Sequence, residues 1–181
     1  MMSVLQYPFM QHALAAGVLV SIACGVVGTY VVVRRMVFIS GGVSHATFGG
    51  IGLAYYAGFS PIAGALGFAV FAAMAMGILS RRMHLSEDTG IGVLWATGMA
   101  LGVVFVGLSD GYAPDLFSYL FGNILTVQSS ELVLMLLLDA VIVVTAIVFY
   151  KEFLAISFDE EFSRAEGVPT NALNMVLLGL I

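Results

Sequence analysis

The chain has 181 residues, 61% of them hydrophobic and only 9% charged, with a mean hydropathy of +1.07. A soluble domain carries roughly a quarter charged residues, so the composition excludes a water-soluble globule, and the same hydrophobicity excludes disorder. The net charge is −5 and the six basic residues form no aromatic-interleaved patch, which excludes nucleic acid as a partner; the single cysteine, Cys24, excludes a disulfide framework or a cysteine metal cluster and reads as a small packing residue.

A membrane helix needs about 20 mainly apolar residues. Residues 13–33 form the first such span, uncharged and closed by Arg34 and Arg35. The second, 37–60, is interrupted only by His45; the third, 61–80, is closed by Arg81 and Arg82. The fourth, 89–109, follows Glu87 and Asp88, and the fifth, 132–150, carries Asp139 and is closed by Lys151. A sixth begins at Ala172 and has ten residues by Ile181, too few for a hydrocarbon core about 30 Å thick at about 1.5 Å per residue. The expectation is an all-α polytopic bundle, one transmembrane domain over 1–181, with its closing spans outside this chain.

All six basic residues fall after odd-numbered spans, Arg164 included. If the spans alternate, they share one side, which the positive-inside rule makes cytoplasmic, leaving the N-terminus outside. Small residues recur at helical spacing: Gly42, Ala46, Gly50, Ala54 and Gly58 in the second span, Ala65, Ala69, Ala73 and Gly77 in the third, Gly98 and Gly102 in the fourth. Such ladders let backbones approach where lipid offers no hydrophobic drive to association. They serve tight packing or the wall of a pore.

Ionisable groups inside spans are costly and so are candidates for function. His45 has glycines four residues to either side, Gly41 and Gly49, which predicts open space along that face for a water or an ion. Imidazole is a common transition-metal ligand, but a lone histidine also serves as a hydrogen-bonded interior residue. Asp139, among leucines, could pair with another helix, face a water path or contact a subunit. Asp115, with Asp110, lies in the outer connection 110–131 and could attract a cation there or simply be solvated. His12 and His84 are expected to face water or headgroups.

The cytoplasmic stretch SFDEEFSRAEGVP, 157–169, predicts a short capped helix over about 157–168. Ser157 and Glu160 have capping-box spacing; Asp159, Glu160 and Glu161 sit in the first turn, where they complement the helix dipole; Gly167 and Pro169 give the stop. Phe158, Phe162 and Ala165 fall on one face. So short a helix is marginal alone in water, so that face rests on the protein's underside, on headgroups or on a soluble partner.

Four stretches resemble the permease subunits of zinc/manganese/iron-type ATP-binding-cassette importers: VVVRRMVFISGGVSHATFGGIGLAYY (31–56), SEDTGIGVLWATGMALGVVF (86–105), YLFGNILTV (119–127) and SFDEEFSRAEGVP. They occur in the family's order. The resemblance implies a multi-pass homodimer in a prokaryotic plasma or inner membrane, with the substrate path along the dimer interface. It implies a cytoplasmic ATP-binding subunit docked on Phe158, Phe162, Ala165 and Gly167, with Asp159, Glu160 and Glu161 as the acidic edge. An extracytoplasmic metal-binding protein would deliver the ion. His45 matches the family's membrane histidine, which faces the metal path. Many members carry an acid four positions earlier, where this chain has Gly41, so the metal, or a chelate in its place, stays open.

The chain has no GxxxxGK(S/T) loop. It is expected to be a transport subunit rather than an enzyme, with no cofactor of its own and a divalent metal ion as cargo. The competing readings are a proton-coupled secondary carrier titrating His45 and Asp139, a permease for a metal chelate, and a membrane scaffold.

Overall fold

The computed structural model describes residues 6–83, 87–109 and 122–181. In chain order the helices are α1 (Pro8–Val33), α2 (Val37–Ala46), α3 (Phe48–Ala57), α4 (Pro61–Met83), α5 (Glu87–Leu108), α6 (Ser129–Val148), α7 (Tyr150–Phe158), α8 (Glu160–Ala165) and α9 (Thr170–Leu180). A 3-10 turn, Ile124–Thr126, precedes α6. No strand occurs among the described residues, in keeping with a solvent in which each segment must satisfy its own backbone. Five stretches are long and apolar enough to cross a membrane: α1, α2 with α3, most of α4, α5 and α6. The protein is a multi-pass helical membrane protein.

The described residues fall into two compact units, one holding those up to Arg34 and Gly122 to Thr170, the other Arg35 to Ser109 and Asn171 onward. In the first, α1 opens with a proline, whose missing N–H costs nothing in a first turn. Near that end His12 meets the start of α6: Nδ1 is 3.0 Å from the Val127 carbonyl and Nε2 is 3.4 Å from Ser129 Oγ. Toward the other end, Val26, Thr29 and Tyr30 of α1 and Ala146, Ile147 and Tyr150 wall one apolar cleft. The two helices are therefore parallel, as the first and fifth spans of an alternating chain must be. His12 is thus tied to the protein rather than left to headgroups, and Cys24, expected to pack, is exposed on α1.

The second unit packs at small residues, some on the expected ladders (Gly42, Ala46, Gly50, Gly77, Gly98 and Gly102) and others, such as Gly52 and Gly64, off them. A Cβ on Gly98 would lie 2.6 Å from the Ala46 carbonyl oxygen, and one on Gly52 would lie 2.5 Å from that of Gly102. A Cβ on Gly50 would strike the Gly64 carbonyl, and one on Gly64 the Gly50 carbonyl. Backbone therefore meets backbone at these crossings, an approach that only glycine permits. The pairings run 42 with 91, 46 with 98 and 52 with 102, so the second and fourth spans are parallel. Gly50 against Gly64 and Gly90 against Met76 make the neighbouring pairs antiparallel. Gly77 of α4 receives Met175 and Leu178 of α9.

The second span differs from the unbroken helix expected over 37–60. It is jointed at Thr47, which stays right-handed (φ −58°, ψ −20°), and ends at Gly58 with φ +75°. An unbroken helix would offer the Ser44 carbonyl to the Phe48 N–H, but the Thr47 hydroxyl takes it at 2.5 Å.

Candidate functional site

His45 lies in the last turn of α2, two residues before the joint. Its ring stacks on the Trp95 indole of α5, with centroids 4.5 Å apart and planes 7° from parallel. Two features bring the rings together: the 46-with-98 crossing draws the backbones close, and Trp95 stands three residues before Gly98 on α5. One turn before His45, a Cβ on Gly41 would meet nothing within 4 Å. On the other side a Cβ at Gly49 would lie 3.0 Å from the Gly98 carbonyl and 3.0 Å from the Phe68 ring. The expected open face thus exists at Gly41 and is closed at Gly49. The imidazole is half-buried, with one face covered by indole.

Beside Gly41 lies a polar stripe that the sequence reading missed. Ser40 and Ser44 are exposed, and with Thr47 they recur at four- and three-residue spacing. Each hydroxyl donates to a carbonyl three residues back: Ser40 to Val37 at 3.0 Å, Ser44 to Gly41 at 2.9 Å, Thr47 to Ser44. The helix satisfies these donors itself, yet their oxygens retain lone pairs for a passing water or cation. The spacing was visible in the sequence. Trp95 was signalled only by being the sole tryptophan of the chain.

Asp139 belongs to the other unit. It is 7% exposed at mid-α6, and its Oδ2 has no hydrogen-bond partner among the described residues. Leu136, Leu137, Leu138 and Val141 around it point outward. Among the described residues no three His, Cys, Asp or Glu side chains converge to hold a metal. Asp115, like Asp110 and His84, lies outside the described residues.

The segment 157–169 is organised differently from the expected capping box. Ser157 is still inside α7, its hydroxyl donating to the Phe153 carbonyl at 2.6 Å. The cap is Asp159, extended at φ −152°, whose carboxylate accepts the Phe162 N–H at 2.8 Å. The helix that follows is only Glu160–Ala165. Ser157 fails as a cap because an N-cap residue needs extended backbone and α7 runs on through Phe158. The C-terminal stop is as expected: Gly167 has φ +86°, its N–H bonds the Arg164 carbonyl at 3.1 Å, and the Val168 N–H reaches the Ser163 carbonyl at 3.0 Å, a Schellman closure.

Phe158 and Phe162 flank the cap, 83% and 63% exposed. They do not share a helix, and Phe153 and Ile156 supply the buried side of α7 instead. Glu161, Ala165 and Gly167 are exposed. Glu160 turns back to its own chain, Oε2 on Arg34 and Oε1 on Arg164, each at 3.0 Å.

The model of the ABC 3 transport family matches residues 6–181. An uncharacterized membrane protein of Synechocystis is 50% identical over all 181 residues, which cover 64% of that relative. The manganese transport system membrane protein MntC of Halalkalibacterium halodurans is 34% identical over 98% of this chain and 61% of its own length. Among solved structures, PsaBC from Streptococcus pneumoniae in complex with Fab superposes with a TM-score of 0.79 at 34% identity, covering 97% of this chain and 64% of that one. The chain thus spans less than two thirds of the length of these relatives.

Proposed function

Because this chain belongs to the ABC 3 transport family, we propose that it forms part of the permease subunit of an ATP-driven importer of divalent transition-metal ions. Manganese is the first candidate, since manganese transport is what several relatives are named for; zinc, iron and a metal chelate are the alternatives. The subunit acts as a homodimer in a prokaryotic plasma membrane. Its N-terminus is outside, and the side holding Arg34, Lys151 and Arg164 is cytoplasmic.

The observation that carries this reading is the pair of aromatic rings standing free beside a helix fixed at both ends by its own caps. An exposed phenylalanine in water is unfavourable by about 1.5–3 kcal/mol relative to a buried one. Two of them at a rigid turn suit a pocket on a soluble protein. The exposed residues of this segment, Phe158, Glu161, Phe162, Ala165 and Gly167, therefore dock an ATP-binding subunit. Nucleotide-driven closure of that partner moves them, and the spans change between two packings. An extracytoplasmic metal-binding protein delivers the ion. His45 is the nitrogen ligand it meets on the way, approached past Gly41 and the hydroxyls of Ser40 and Ser44.

One observation favours a second reading. A buried Asp139 with an unpartnered oxygen suits a proton-coupled carrier. Purifying the complete permease co-expressed with its ATP-binding subunit separates the two. Co-purification lost on Phe158→Ser with Phe162→Ser supports docking; partner-free permease that moves metal down a pH gradient supports the carrier.

A further inference from the structure

Glu160 is the one acid of the docking segment that both arginines hold. Arg34 Nη2 donates to its Oε2 at 3.0 Å, and Arg164 Nη2 donates to its Oε1 at 3.0 Å. Arg34 is the C-terminal cap residue of α1, and its side chain is only 15% exposed. Arg164 lies on α8 and uses its Nε to reach the Thr170 hydroxyl at 3.2 Å. Thr170 is buried and opens α9. One carboxylate thus joins the end of a membrane helix, the short capped helix and, through Arg164, the first residue of the next apolar helix.

Resting on the docking reading above, we propose that Arg34, Glu160 and Arg164 are positioning residues that transmit movement of the docked α8 to α1 and to the start of α9, and that Glu160 is not itself a contact for the ATP-binding subunit. The geometry gives three reasons. Both carboxylate oxygens of Glu160 are already engaged by this chain, whereas Phe158, Phe162 and Glu161 face outward. Each carboxylate oxygen accepts one charge-assisted hydrogen bond, from Arg34 and from Arg164, so a displacement of α8 pulls on Arg34 and, through Arg164, on Thr170. The link is also short: it leaves α8 at its first residue, next to the cap that fixes the helix in place. Docking and transmission then reside on different side chains of one segment.

The two roles separate in proteoliposomes holding the complete permease with its ATP-binding and metal-delivering partners, with manganese(II) as the probe. ATPase retained on the permease, ATP hydrolysed and ions moved per ATP are measured on the same preparations. Glu160→Gln and Arg34→Gln are each expected to retain the ATPase in full and to lower ions moved per ATP by about 5- to 10-fold. The double variant should be no worse than either single one, because both remove the same link. Glu152→Gln, on α7 and outside the docking face, should leave the ratio unchanged. Should a neutral variant fail to assemble, Glu160→Asp and Arg34→Lys keep the charges, alter the reach and are expected to show the same loss to a smaller degree. Release of the ATPase by Glu160→Gln, additive losses in the double variant, or an unchanged ratio in the singles would each overturn the transmission role. ATPase binding that survives Phe158→Ser with Phe162→Ser would instead remove the docking reading on which it rests.

Discussion

The imidazole of His45 and the indole of Trp95 lie face to face, 4.5 Å apart, although 50 positions separate them in the chain. The stack fixes the ring plane, and Gly41, one turn earlier, has open space beside it. Aromatic pairs of this kind contribute about 0.5–1.5 kcal/mol, so Trp95→Ala should raise the manganese(II) concentration for half-maximal uptake by about three- to tenfold. Trp95→Phe should restore most of the loss. Trp95 also provides a built-in probe: metal reaching His45 should change its fluorescence, and His45→Ala should remove that response.

The glycine crossings make a second prediction. Gly98→Ala and Gly52→Ala place a methyl against backbone that cannot move aside, and overpacking of this kind costs about 1–3 kcal/mol. Gly92→Ala, on the same α5 but with nothing within 4 Å, should be neutral or stabilising by up to about 1 kcal/mol. Thermal unfolding in one detergent compares the three directly; equal shifts would contradict the packing described.

The cap of α8 makes a third. Removing an N-cap acid costs about 0.5–2 kcal/mol, so Asp159→Ala should loosen α8, speed amide exchange at Phe162 and weaken ATPase retention. Ser157→Ala removes only a bond to the Phe153 carbonyl and should leave exchange at Phe162 unchanged.

How much of this was legible in the sequence depends on range. Hydropathy located the five spans, and four-residue spacing located the ladders, because both are local and periodic. The parallel pairing of the second and fourth spans also follows from alternation. The joint at Thr47 escaped, since Thr47 stays in the right-handed region and only its hydroxyl's choice of acceptor interrupts the ladder. The cap was misplaced by two residues: Ser157 and Asp159 both precede acidic helical turns, and what decides between them is where α7 stops. Trp95 over His45 and Arg34 on Glu160 join residues far apart in the chain, which no spacing reveals. His12 belongs with these.

That histidine makes a fourth prediction. Its contacts to the Val127 carbonyl and Ser129 hydroxyl tie the start of α1 to that of α6. A side-chain hydrogen bond contributes about 0.5–1.5 kcal/mol, so His12→Ala should speed amide exchange around residues 124–131 and leave that around His45 unaltered.

The most direct test of the central claim is uptake of radiolabelled manganese(II) by proteoliposomes containing the complete permease, its ATP-binding subunit and the metal-delivering protein. The account predicts uptake that requires ATP and is lost when Phe158 and Phe162 are both replaced by serine. Uptake driven by a pH gradient without ATP, and indifferent to those two residues, would contradict it.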